Sequence, residues 1–212
     1  MRIGLIHPSR GRPRKAFDTF RNWTNKAGES FDYILSLDSD DPSIGEYQEL
    51  FKGQYILIND NKSVVQATNC AARRSHGDVI IYLSDDFDCP ERWWRKVREE
   101  FFRVYKPALL KVDDCLQPYH VRVLTIPMMN RLLYQELGYF WNPLYDSMFV
   151  DQDLYEVCEK NRWLIHAPHL KFPHNHVSVG KAPDDETYRR SAANWNTGKA
   201  TFQRRQQAGF PL

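Results

Sequence analysis

The chain has 212 residues, with 29 Lys and Arg against 27 Asp and Glu and 42% hydrophobic residues, and its net charge is +2. That length supports one sizeable core, and no run of about 18 apolar residues is present to span a bilayer. The charge is uneven: residues 1–26 carry seven Lys/Arg against one Asp, residues 187–212 carry five against none, and the middle is strongly acidic.

In chain order, RIGLIH (2–7) reads as a short buried strand, SRGRPRK as a Gly/Pro loop and AFDTFRNWTNKA as a helix. FDYILSLDSDDP is a second strand ending in acids and a proline, and YILIND is a third. SVVQATNCAARRSH reads as a helix opened by Ser63, DVIIYLSDD as a fourth strand, and PERWWRKVREEFFRVY as a helix with Pro90 at its start. The order β-α-β-β-α-β-α predicts an α/β fold with a mostly parallel central sheet flanked by helices on both faces. Further on, HVRVLTIP reads as a strand, NRLLYQELGYF and MFVDQDLYEVCEKNRW as helices, WLIHAPHLKFPHNH as strand-like and SAANWNTGKATFQRRQQAG as a terminal helix. No repeat or linker interrupts the chain, so 1–212 is expected to be a single domain. Its nucleotide-type half is 1–90, its second half 91–186, and 187–212 forms a C-terminal helix or tail.

Cys70, Cys89, Cys115 and Cys158 contain no CxxC pair and suggest neither a zinc site nor a disulfide framework. Together with the absence of an apolar leader segment, they predict a cytoplasmic protein.

In open α/β sheets, ligands bind beyond the carboxyl ends of the strands. Here those ends carry Ser9–Arg10–Gly11–Arg12, Asp38–Asp40–Asp41, Asn59–Asp60 and Asp85–Asp86–Asp88. Any one of them reads as a turn or a helix cap, but all four would meet at one sheet edge. Three acids packed after Leu83 repel one another unless cations or water intervene. Mg²⁺ and Mn²⁺ take oxygen ligands, using one or two carboxylates plus substrate phosphates. Arg10, Arg12 and Lys62 would supply positive charge for those phosphates. The pattern describes a metal-bridged nucleoside diphosphate.

"GDVIIYLSDDFDCPERW", preceded by "NKSVVQATNCAARRSH", resembles the central region of family 2 glycosyltransferases. "IHPSRGRP" and "SLDSDDP" are similar to that family's nucleotide-binding elements, and "LGYFWNPLYDSMFVDQDLYEVCEKNRW" to its acceptor-side region. The resemblance covers about residues 1–176 and rests on the order and spacing of short motifs. It implies a GT-A-type nucleotide-diphospho-sugar transferase fold, with a sugar moved from a nucleoside-diphosphate sugar, by default a UDP-sugar, to an acceptor hydroxyl. It also implies Mn²⁺ or Mg²⁺ as cofactor.

One departure is visible: the first Asp of the family's DXD motif is replaced by Ser84. Asp86 then stands at the metal-binding position, with Asp85 or Asp88 assisting, and the register Asp86–Phe87–Asp88 is itself a literal DXD. Carried over by position, Asp38 contacts the base or ribose, Pro8, Ser9, Arg10 and Arg12 line the same pocket, and Asp60 and Lys62 lie near it. The matching general base, expected to act with inversion, is Asp151 or Asp153 at the start of a helix. The positive end of that helix would keep Asp151 ionised at neutral pH, although an ordinary N-cap reads equally well there. His174 and His176 alternate in "FPHNHVSVGKAPDDETY", and one of them is expected at the metal. Lys181 is a further candidate for the pyrophosphate, while Asp184 and Asp185 read as helix caps. Tyr139, Phe140, Trp141 and Tyr145 fall where an acceptor would approach, with core filling as the default role of each.

The acceptor is unread. A glycan or another hydroxyl compound is expected, and the basic ends keep a nucleic acid acceptor open. Two other classes compete. A nucleotidyltransferase would use similar carboxylates but needs a richer Gly/Lys loop than SRGRPRK. A non-catalytic nucleic-acid-binding module would face repulsion from the acidic centre.

Overall fold

A computed structural model describes residues 1–181 and 184–212. Seven strands form one sheet in the order β3-β2-β1-β4-β6-β5-β7. The parallel part holds β1 (Ile3–Ser9), β2 (Asp32–Asp38), β3 (Tyr55–Asn59) and β4 (Val79–Tyr82). Beyond β4 comes the antiparallel β6 (Met128–Asn130), then β5 (Leu109–Asp113) and β7 (Leu164–Lys171), which run parallel to each other. The expected α/β sheet is therefore present, with one reversed strand inside it.

Alternate strand residues feed two cores, because successive side chains leave opposite faces. Ile3, Leu5, Val79 and Ile81 face one cluster, with Trp23 of α1 (Pro13–Ala27), Phe51 beyond α2 (Ile44–Leu50) and Trp93 of α4 (Trp93–Glu100). Ile6 and Ile80 face the other, with Val65 of α3 (Val64–Arg74), Leu133 of α5 (Arg131–Leu137) and Leu154 of α6 (Val150–Lys160). At the start of β1 two backbones nearly touch: a Cβ added at Gly77 would lie 2.6 Å from the Gly4 nitrogen, so no side chain fits there.

Several expectations need correction. The helix α2 separates the second and third strands; at seven residues it is too short to give a clear helical period. HVRVLTIP is not a strand, since the strand β6 lies just after it at Met128–Asn130, and β5 is an additional strand. Helix α4 begins at Trp93, not at Pro90, after Arg92 takes a left-handed conformation. The terminal helix is two helices, α7 (Glu186–Ala193) and α8 (Trp195–Gln207), broken at Asn194. Among the described residues, no helix is long and apolar enough to cross a membrane.

Candidate active site

The four parallel strands release their loops at one edge, as strand polarity requires. Beyond that edge lies a cleft of about 500 Å³. Pro8, Ser9, Arg10, Arg12, Asp38 and Lys62 line it, together with Asp85, Asp86, His174, His176, Tyr188 and Asp151. Helix α3 opens on the cleft through Ser63 and Val64, with the Ser63 hydroxyl accepting from the Gln66 N–H. Its positive end thereby points toward any bound anion.

Each of the three acids after Leu83 meets a different set of protein groups. Asp85 is fully committed: one oxygen pairs with His7 Nε2 at 2.9 Å, and the other accepts from the Ser9 hydroxyl at 3.0 Å. With Asp85 accepting, Nε2 carries the proton, and His7 Nδ1 takes the Tyr33 hydroxyl at 2.7 Å. Burial pushes the Tyr33 phenol well above its ordinary range, which keeps it a donor. Ser9 also meets Tyr47 OH at 2.7 Å, and that oxygen accepts from the Arg12 N–H at 3.0 Å. Asp85 therefore braces the first loop, with each oxygen already bonded to a protein group.

Asp88 turns away from the cleft. It accepts from Lys26 Nζ at 2.7 Å, from Asn22 at 2.5 Å and from the Cys89 N–H at 2.6 Å. The expectation that Asp88 binds metal is thus corrected: a lysine already serves it, outside the cleft lining.

Asp86 remains. It is 5% exposed, and one oxygen accepts from Tyr188 OH at 2.7 Å and pairs with His174 Nε2 at 3.2 Å. The other oxygen is buried and has no hydrogen-bond partner within bonding geometry among the described residues, although the nearby Ser84 side chain also helps keep the carboxyl ionised. Burial alone would raise its pKa, but hydrogen bonds from His174 and Tyr188 hold the carboxyl far below the usual range, so it is ionised. An ionised, buried oxygen with nothing to accept from is an expensive arrangement, and it suits a hard cation. Among the described residues no three His, Cys, Asp or Glu side chains converge as a metal cage. The donor set fits a divalent ion held by one carboxylate and completed by substrate phosphate oxygens.

The two histidines divide. The segment around His174 is zipped to the acidic turn by the hydrogen bonds Asp88 N–H to Pro173 O and Asn175 N–H to Asp86 O, both 2.8 Å. His174 is thereby aimed at Asp86. His176 instead caps a short 3₁₀ turn, Val177–Val179, accepting from the Ser178 N–H at 3.1 Å. Burial, then the neighbouring His174, lower its pKa.

Of the two arginines, Arg10 donates to Asp38 at 3.0 Å and also to Asp40. Arg12 grips Asp185 through two hydrogen bonds of 2.7 and 2.5 Å, and its guanidinium lies 4.1 Å over the Tyr188 ring. Asp185 also caps α7, accepting from the Tyr188 N–H. Lys62 pairs with Asp60 at 2.8 Å on the surface; Lys62 reaches the cleft lining and Asp60 does not.

The two candidate bases separate cleanly. Asp153 is 1% exposed and locked to Arg205 Nε at 2.5 Å, Tyr145 OH at 3.1 Å and Asn142 at 3.2 Å. It pins α8 to α6 and is closed to an acceptor, which corrects its assignment. Asp151 lines the cleft, and burial pushes its pKa up to about 6, against the pull of the Gln152 N–H at 2.9 Å. Desolvation thus raises the carboxyl even in the first turn of a helix, yet a group near 6 is still mostly ionised at neutral pH. Of the aromatics expected near the acceptor, Phe140, Trp141 and Tyr145 are buried, and only Trp141 reaches the cleft lining. Tyr188, Asp185 and His7 complete the site from distant positions without any local motif.

No protein-family profile matches the chain, and no curated protein sequence does. Solved structures match. A mannosyltransferase from Pyrobaculum calidifontis, in complex with GDP-Man and Mn²⁺, superposes with a TM-score of 0.65 at 12% identity, over 82% of this chain and 56% of that one. TarS 1–349 of S. aureus, in complex with UDP, gives 0.61 at 11% identity over 82% and 60%. Glucosyl-3-phosphoglycerate synthase from Mycobacterium tuberculosis, in complex with Mn²⁺, UDP and phosphoglyceric acid, gives 0.61 at 11% identity over 84% and 73%. The chain thus spans less than two thirds of the first two. At such identities the likeness is one of fold, and the chain has the GT-A fold of nucleotide-sugar glycosyltransferases.

Proposed function

We propose that this chain is a glycosyltransferase that moves a sugar from a nucleoside-diphosphate sugar to an acceptor hydroxyl, with inversion at the anomeric carbon. The observation that carries this reading is the partnerless, ionised oxygen of Asp86 in the same cleft as Asp151. Asp86 would hold Mn²⁺ or Mg²⁺, with His174 orienting the carboxylate. The ion, when bound, acts as a Lewis acid that stabilises the departing diphosphate.

In this reading Arg10 and Arg12 face the phosphates, Asp38 the ribose or base, and α3 presents its positive end. Pro8, Ser9 and Lys62 complete the nucleotide wall. Asp151 takes the proton of the acceptor hydroxyl as its oxygen attacks the anomeric carbon. The bond from that carbon to the diphosphate breaks, and the nucleoside diphosphate leaves. A base titrating near 6 is largely ionised at neutral pH yet basic enough to accept a proton in the transition state. The GT-A fold of the structural neighbours, some solved with Mn²⁺ or nucleotide, supports the same reading. In this reading residues 1–90 hold the nucleotide, with Asp38 and Asp86, and the base Asp151 belongs to the second half.

Titration calorimetry with UDP- and GDP-sugars tests the proposal. Binding should need Mn²⁺ and should vanish in Asp86→Asn. Equal affinity with and without metal, in the native protein and in the variant, would overturn it.

A further inference from the structure

We infer that Trp195 is the acceptor platform and that the acceptor is a sugar ring; this rests on the transferase reading above and names its second substrate. Trp195 opens α8 and lines the cleft, yet it is 52% exposed. A large indole left half in water on a cleft wall, while Trp23, Trp93 and Trp141 are buried, is the exception that calls for a ligand.

The ring is held rigidly. Its edge meets the Phe149 ring at 4.9 Å between centroids, and Phe149 packs in turn on Phe202 at 5.8 Å. Helix α8 seats so closely on this wall that a Cβ at Gly198 would lie 2.4 Å from the Met148 carbonyl oxygen. Phe149 adopts a left-handed conformation at φ 70° and leads directly into α6. Its α-carbon is therefore within about 7.6 Å of that of Asp151 along the chain. Platform and base share one support.

The surroundings select a neutral, hydroxyl-rich ligand. Ser147, Gln152, Ser191 and Asn194, neighbours of Met148, Phe149 and Trp195 along the chain or on the adjoining helix, line the same cleft and offer hydroxyls and amides. A pyranose presents an apolar face of C–H groups for the indole and hydroxyls at its rim for such partners. Charge argues against a polyanionic strand. Arg10, Arg12, Lys62 and Arg190 in the cleft lining are offset by Asp38, Asp85, Asp86, Asp146 and Asp151, leaving no net positive track for phosphates.

The test uses saturation-transfer NMR on the full chain without nucleotide. The probes are methyl glycosides of glucose, galactose, mannose and N-acetylglucosamine, with a single-stranded oligonucleotide as competitor class. At least one glycoside should receive saturation from the native protein. That signal should fall more than fivefold in Trp195→Ala, persist largely in Trp195→Phe, and stay unchanged in Tyr105→Ala, an exposed aromatic outside the cleft. No transfer to any glycoside, equal transfer in native protein and Trp195→Ala, or binding of the oligonucleotide alone would each overturn the inference. Loss of Mn²⁺-dependent nucleotide-sugar binding with the glycoside signal intact would instead sink the transferase reading and leave the platform standing.

Discussion

Tyr188 donates its phenolic hydrogen to Asp86 at 2.7 Å, joining α7 to the acid of the turn whose other oxygen is buried with no hydrogen-bond partner among the described residues. The same ring lies under the Arg12 guanidinium, so α7 covers both the carboxylate and the arginine proposed to meet the diphosphate. Tyr188→Phe should cost about 1–3 kcal/mol in metal-free protein, because a buried carboxylate oxygen loses its donor. Mn²⁺ should recover much of that loss by binding the bared carboxylate. Thermal melts with and without Mn²⁺ check both halves, and a melt equally insensitive to metal in both proteins would count against Asp86 as the ligand.

The three acids of the turn should behave as three different residues. Asp85→Ala strips His7, Ser9 and Arg12 of a shared buried partner and should destabilise the fold by about 3–5 kcal/mol. Asp88→Ala removes a partly exposed pair with Lys26 and should cost about 0–1 kcal/mol, with nucleotide binding unchanged. Denaturant titration of both variants reads the difference.

Asp151 sets a pH limb. With its pKa near 6, transfer should fall as pH drops through about 6, and Asp151→Asn should slow transfer by about 10²–10⁴-fold. Stability moves the other way. The folded-state pKa lies above the ~3.9 of an unfolded Asp, so this group's contribution is complete below that value and is lost as pH rises through about 6. At pH 8 the Asn variant should therefore be more stable, by about 1–3 kcal/mol for this half-buried group. A rate profile and melts at pH 5 and 8 measure both.

Asp153 and Arg205 form a buried pair whose loss is structural. Arg205→Met strands the carboxylate and should cost about 3–5 kcal/mol, whereas the double change Asp153→Leu with Arg205→Met should recover most of it. A double-mutant cycle by denaturant unfolding decides.

Gly198→Ala forces a methyl into the Met148 carbonyl oxygen and should cost about 1–3 kcal/mol. It should also raise the acceptor KM more than the donor KM, because the wall it displaces carries Trp195.

The parallel half of the sheet was legible because β1, β2 and β4 are largely buried apolar runs and β3, though partly exposed, is a short apolar one, each ended by turn residues, as at Ile80–Ile81 before Asp85. The cleft was legible for the same reason, since parallel strands bring their carboxyl ends together. The partners of the acids were not. His7 reaches Asp85 across 78 positions and Tyr188 reaches Asp86 across 102, and no local pattern encodes such pairings. Nor was it legible that Lys26, one helical turn from Asn22, pairs with Asp88. β6 escaped notice because three fully buried residues carry no alternation to read. Trp195 was hidden because exposure at a cleft mouth depends on how α8 seats, not on the residues flanking it.

The C-terminal helices are tied back to the rest of the fold through Asp185 on the cleft-lining Arg12 and Arg205 on the buried Asp153. A nascent chain still emerging from the ribosome would hold the sheet's first strands without those clamps. Its pocket would gain full rigidity only once residue 205 is free of the exit tunnel, making this the last region to consolidate and the one most exposed to proteases during synthesis.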